Sequence, residues 1–267
     1  MPSIHHARCG LAAVALVALA AAGAARAESA TECSLRKFCF CVNAEIKPAI
    51  EKQVALIRGL VAAEKAKGKA IGYMSIPLST VAGSYFGVNV KIAEAAKKRI
   101  EARFGANLVW VLNPGADEMS LPRGARGADY MLMWTAVLEG GNGMGEDFDF
   151  VYFVGPADFA QHFALDGSGD MQKIDAYYEA AAKSDAGLAK VDRKAFREYY
   201  ALRASTAFSF GSHDEWNIVR ALNEARRGSA EFGIARQLPV LFDGRAVPPA
   251  LFEAPVAPGN AGECRKN

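Results

Sequence analysis

Four short apolar runs, each closed by turn residues and separated by helix-length amphipathic stretches, constrain this chain more than any other feature. They lie at residues 70–76, 108–112, 148–154 and 238–242. A strand that is apolar on both sides must be covered on both faces, which is the signature of a parallel sheet between helices. The intervening stretches have helical spacing. Ile46, Ile50, Val54, Ile57 and Val61 recur at three- and four-residue steps within 43–67, with Pro48 suited to a first turn and Gly68 to a stop. Asn89 is placed to cap a helix carrying Ile92, Ala96, Ile100 and Phe104 and ending at Gly105. Residues 130–139 and 214–227 also read as helices. Residues 157–204 read as mostly helical, broken near 166–170 and at Ser184.

The pattern predicts an α/β fold: a doubly wound, mainly parallel sheet (Rossmann/flavodoxin-like) of four to five strands, with a helical insertion at about 157–204. The α/β domain spans 69–247, a Cys-containing segment and helix precede it at 28–68, and an irregular tail follows at 248–267. In such sheets ligands sit beyond the carboxyl ends of the strands, at a topological switch. That rule points to 75–80, Asn113, the 155–158 turn and Asp243.

The first 27 residues read as a secretory signal. A short polar start with His5, His6 and Arg8 precedes an apolar run over 11–24, and Ala25-Arg26-Ala27 supplies a small-x-small cleavage site. The run is short for a membrane span, no later stretch is long and apolar enough, and Cys9 precedes the run, which disfavours a lipid anchor. Cleavage after Ala27 would leave 240 of the 267 residues. The Ala-rich signal suggests a Gram-negative source and a periplasmic or secreted protein. Loss of Arg8 and Arg26 brings Lys+Arg from 31 to 29, equal to the 29 Asp+Glu. A neutral chain offers no broad surface for nucleic acid or anionic membrane.

Four cysteines follow the signal: Cys33, Cys39, Cys41 and Cys264. In an oxidising compartment they predict two disulfides. Cys39 and Cys41 are expected on opposite sides of an extended chain, poorly placed to bond each other. The favoured pairing is one bridge within the 33–41 cluster and one from it to Cys264. A four-thiolate zinc site is the rival, but the paired C-x-x-C knuckle is absent. His162 and His213 lack a supporting carboxylate pattern for a metal. Residues 166–170 open like a calcium loop, yet Met171 stands where its turn glycine belongs and Tyr177 where its bidentate Glu belongs. No G-x-S-x-G elbow, Walker A loop or G-x-G-x-x-G fingerprint is present. No cofactor is implied.

The segment Ser209-Phe210-Gly211-Ser212-His213-Asp214-Glu215 places a carboxylate just after a turn, where a helix is expected to begin. With its neighbours it resembles the nucleoside 2-deoxyribosyltransferase-like superfamily. Tyr73-Met74-Ser75-Ile76-Pro77 is similar to that family's first strand and turn. Val111-Leu112-Asn113-Pro114 is similar to its strand ending in Asn-Pro. Phe148-Asp149-Phe150-Val151-Tyr152 is similar to its D-x-(V/I)-Y strand. Ser209-x-Gly211-Ser212-x-x-Glu215 matches its S-x-G-(A/S)-x-x-E spacing, and Pro239-Val240 its following strand.

The resemblance covers about 69–155 and 205–243, with some fifty residues inserted between. It implies that Glu215 attacks or stabilises the anomeric carbon of a nucleoside or nucleotide, the small-molecule partner, because cleavage of an N-glycosidic bond leaves positive charge on the sugar. Asp158 is the candidate acid for the leaving base. Tyr73, Ser75, Asn113, Ser209, Gly211 and His213 are candidate ligand-binding residues. Glu231, within 231–235, is a weaker echo that falls too late after the Ser-Gly pair. Met131, Met133 and Trp134 read as core. A non-enzymatic ligand-binding protein on the same fold is the alternative.

Overall fold

The computed structural model describes residues 28–78, 81–233 and 236–265. The expected signal peptide at 1–27 lies outside them, as do Ser79 and Thr80 of the first strand-end loop and Ile234 and Ala235 of the 231–235 echo.

The described chain opens with an antiparallel hairpin, β1 (Ser29–Cys33) and β2 (Cys39–Asn43), in which Cys33 stands opposite Cys39. The disulfides are Cys33–Cys39 and Cys41–Cys264, one within the cluster and one to the tail. The pairing fits an exported protein. Phe40 and Val42 point inward from β2, so Cys39 and Cys41 share its other face. This corrects the expectation that they lie on opposite sides: residues two apart in a strand point the same way. Each bonds a different neighbour.

Helix α1 (Lys47–Lys65) follows a short 3-10 turn and buries Ile50, Val54, Ile57 and Val61. Each such burial is worth roughly 1.5–3 kcal/mol, so Ile57, fully buried, is the side chain whose truncation would most damage this helix. Then come β3 (Ala70–Ser75), α2 (Phe86–Phe104), β4 (Val109–Leu112), α3 (Gly127–Glu139) and β5 (Phe150–Phe153). The insertion supplies α4 (Pro156–His162), α5 (Asp170–Ala182) and α6 (Arg193–Leu202). The chain closes with α7 (Phe210–Arg227), β6 (Val240–Phe242), β7 (Arg245–Ala246) and α8 (Pro249–Phe252).

The central sheet has the order β4-β3-β5-β6-β7 and is parallel except for β7. Alternate side chains divide its core in two. Ile71, Tyr73, Leu112, Val151, Phe153 and Val240 pack against α1, α3 and α7. Met74, Val109, Val111, Phe150 and Tyr152 pack against α2, α4, α5 and α6. The molecule is thus α/β with a five-stranded, mostly parallel sheet, and the insertion joins the α2 face.

Two helix starts differ from expectation. Helix α2 begins at Phe86, and Asn89 lies within it, fully buried. The Asn89 amide donates to Ser84 Oγ at 2.7 Å and accepts from Tyr200 Oη at 2.7 Å. Its polar groups fasten the insertion to α2 instead of capping a helix. Helix α7 begins at Phe210, four residues earlier than periodicity suggested. Ser209 is the cap, its Oγ accepting from the Ser212 N–H at 3.3 Å.

The tail is held, although most of it has no regular structure. The Asp214 carboxylate accepts from the backbone N–H groups of Gly259, Asn260 and Ala261 at 2.8, 2.6 and 3.3 Å. Asn217 bonds both the N–H and the carbonyl of Val256. Gly262 N–H donates to Cys39 C=O at 2.7 Å, next to the bridge to Cys264. Gly259 permits this docking, since a Cβ there would lie 2.0 Å from the Phe210 carbonyl oxygen. No helix among the described residues is long and apolar enough to cross a membrane.

Candidate functional site

Glu215 lies in the second turn of α7, above the carboxyl end of β3. Tyr73 and Ser75 are two apart on β3 and so face α7 together. The Tyr73 hydroxyl donates to one Glu215 carboxyl oxygen and the Ser75 hydroxyl to the other. Both hydroxyls are fully buried, and Glu215 itself is only 5% exposed. Burial raises the Glu215 carboxyl from an ordinary value of 4.5 to about 7; the bonds from Ser75 and Tyr73 oppose this shift, and nearby Asp214 adds to it. Burial first, and Glu215 second, push the Tyr73 phenol well above its ordinary value, so it stays a donor.

Glu215 lines a cavity of about 550 Å³, a volume suited to a small molecule. The cavity opens over the ends of β3 and β4, where Ile76, Leu78 and residues 114–116 meet the first turns of α3 and α7. Its walls are largely apolar and aromatic: Met119, Met131, Trp134, Phe86 and Phe210. Ser120, Tyr130, Ser209, Ser212 and Asn260 supply polar edges, and half-exposed Arg126 the positive charge. Glu215 is the one carboxylate among the lining residues.

The fold therefore gathers Glu215, Tyr73, Ser75, Ser209 and Gly211 from the sequence candidates. Ser209 and Gly211 line the cavity, whereas Tyr73 and Ser75 hold the carboxyl from the sheet side. Asn113 is adjacent but turns its Oδ1 to the Gly115 N–H at 2.9 Å, and its neighbour Pro114 forms the wall.

Two candidates lie elsewhere. His213 faces away from Glu215, with Nε2 2.9 Å from the Ala207 carbonyl and Nδ1 3.1 Å from that of Ala257. Asp158 is buried near the start of α4 on the α2 face and does not line this cavity. It pairs with Arg99 at 2.9 Å and accepts from Tyr152 Oη and the Gly155 N–H. Those contacts account for its burial as scaffold. Glu231 is exposed.

Sequence reasoning assigned Met131 and Trp134 to the core. They are buried and also line the cavity. Helical periodicity shows that a face turns inward but not that the inside holds a void. Arg126 and Asn260 were missed because nothing local ties them to the site. Among the described residues no cluster of three or more His, Cys, Asp or Glu could hold a metal. Asp166 instead pairs with Lys173 at 2.6 Å, and Asp170 accepts the Asp166 and Gly167 N–H groups.

No protein-family model matches this chain, and neither a curated protein nor a solved structure matches it.

Proposed function

We propose that this protein cleaves or transfers the N-glycosidic bond of a nucleoside or nucleotide, with Glu215 as the carboxylate that meets the anomeric carbon. One observation carries the reading: a buried Glu held by two hydroxyl donors lines a small-molecule-sized cavity at the carboxyl ends of parallel strands. The order β4-β3-β5-β6 of the parallel strands supports reading the sheet as doubly wound and flavodoxin-like, with a switch point beside β3. The S-x-G-S-x-x-E spacing supports the same chemistry. The disulfides support action in the periplasm or outside the cell, after loss of a signal peptide at Ala27.

In the proposed reaction a Glu215 oxygen bonds the anomeric carbon as the C–N bond breaks, and the base leaves with the electron pair and takes a proton from solvent. Water or an acceptor hydroxyl then attacks the same carbon, freeing Glu215 and releasing its proton to solvent. Tyr73 and Ser75 are positioning residues that keep the carboxyl in one orientation. Trp134 and the methionines offer the flat apolar contact that a nucleobase takes. Asp158 has no part in this proposal, because its contacts keep it on the other face.

A binding role without catalysis is the second reading. It is favoured by the absence of a second carboxylate among the lining residues, which leaves the departing base without a protein acid. The test is to incubate the oxidised protein with mixed nucleosides and nucleotides and to follow free base. The expected outcome is base release by the wild type and a loss of at least about 100-fold in Glu215→Ala. No release by either protein, with retained binding of a nucleoside, would select the second reading.

A further inference from the structure

On the other side of the α7 amino terminus lies a second cavity of about 660 Å³, above the carboxyl ends of β5 and β6. Its walls are mostly apolar and include Phe153, Trp216, Phe242 and Leu251, with Thr206, Ser212 and His213 as polar lining residues. Trp216 lies between Phe153, tilted against it, and Phe252, edge-on to it, at centroid distances of 5.2 and 4.8 Å. Leu251 is 66% exposed, a large apolar side chain that the described residues cover only in part.

Two charges stand at one edge, and the β6–β7 hairpin sets both. Asp243 and Gly244 take positive φ of 52° and 77°, the Asp-Gly two-residue turn of a tight hairpin. One Asp243 oxygen accepts from the Ala157 and Asp158 N–H groups at 2.9 and 3.2 Å, capping α4. Gly155 leaves room for this side chain, since a Cβ there would lie 2.4 Å from it. The positive charge of Arg245 acts on the carboxylate, whose second oxygen accepts no hydrogen bond among the described residues. Arg245, two residues on, is exposed and makes no hydrogen bond or ion pair among them. Both residues line the cavity. A rigid hairpin thus presents an anion and a cation side by side at the mouth of an apolar chamber.

We propose that this cavity binds a zwitterion with a large apolar body, the chemistry of a free α-amino acid such as phenylalanine. The ammonium meets the open Asp243 oxygen, the carboxylate meets Arg245, and the side chain fills the space beside Trp216. A zwitterion meets both protein charges, whereas a ligand with one charge meets only one of them, which favours the zwitterion over either half. The site shares Ser212 with the Glu215 cavity but needs none of the proposed glycosidic chemistry.

The test is calorimetric titration of the oxidised protein with L-phenylalanine, phenethylamine and 3-phenylpropionate, with Trp216 emission followed in parallel. Phenylalanine is expected to bind tightest, and each analogue about tenfold weaker, as for one lost charge-assisted hydrogen bond. Asp243→Asn should weaken phenylalanine and phenethylamine and spare 3-phenylpropionate; Arg245→Gln should weaken phenylalanine and 3-phenylpropionate and spare phenethylamine. An Asn side chain keeps an oxygen for the α4 cap and tolerates positive φ, so the first variant should fold. No heat and no emission change with any ligand would overturn the proposal, as would equal affinities in wild type and both variants. A dimer in sedimentation that Leu251→Glu disperses, without ligand heat, would assign the face to a second copy of the chain and also overturn it.

Discussion

Asp214 and Glu215 are consecutive in α7 and almost equally buried, at 1% and 5% exposure, yet they serve different regions. Asp214 points to the tail and takes three backbone N–H groups and the Asn260 amide. Glu215 points to the sheet, takes two hydroxyls, and borders open space. Burial alone therefore does not mark a reactive acid. A carboxylate fully supplied with N–H donors is a fastener. One with two donors, a raised titration point and a cavity beside it can still exchange a proton or a bond. Asp158, paired with Arg99 and bonded to Gly155, belongs with Asp214.

Four substitutions test that contrast. The largest effect is expected at the fastener. Asp214→Ala strips three part-buried backbone N–H groups and the Asn260 amide of a charged acceptor and should cost about 3–5 kcal/mol, as several hydrogen bonds to a charged group are lost together. A lower urea midpoint reads it. If Glu215→Ala loses as much stability, the two residues do not differ as described.

Glu215→Gln should do the opposite, and only at higher pH. The folded carboxyl titrates near 7, above its ordinary 4.5, so the fold favours the protonated form. The stability this lends is fully present below about pH 4.5 and is lost as pH rises through 7. Gln carries no ionisation penalty. The variant should therefore match the wild type near pH 4 and exceed it by about 3 kcal/mol at pH 8.5. Denaturation midpoints across that window check the sign, and a parallel pair of curves would refute it.

The smallest effect is expected from Tyr73→Phe. The tyrosine bond holds the Glu215 carboxyl down against burial, so its removal should move the titration higher. It should also cost about 1–2 kcal/mol above pH 7, where the bond is to a charged acceptor. Carboxyl NMR titration measures the shift directly. An unchanged Glu215 titration would mean that Tyr73 serves packing alone, through its edge contacts with Trp134 and Phe148.

The order of strands and helices was legible in the sequence because burial on both faces leaves continuous apolar runs, and a one-sided helix leaves a three-four period. The Ser-x-Gly-Ser-x-x-Glu spacing singled out the carboxylate, although α7 begins at Phe210, four residues before the expected start. Helix starts were less legible. Asn89 looks like a cap and Ser209 is one; what separates them is that Asn89 bonds distant Tyr200 whereas Ser209 Oγ accepts from the local Ser212 N–H. The hairpin at 29–43 was hidden because its strands alternate weakly, and its register is pinned by Cys33–Cys39 as much as by pattern.

By itself, then, the sequence determined which segments are apolar on two sides, which are amphipathic, and which cysteines could pair. These are local consequences of side-chain chemistry and spacing. Tertiary structure alone decided that Glu215 meets Tyr73 and Ser75 from some 140 residues away, that Asp214 ties down the tail, and that Asp158 sits on the opposite face. Such contacts depend on how helices lie across the sheet. The packing of whole faces sets that arrangement, and a carboxylate's sequence neighbours carry no record of it.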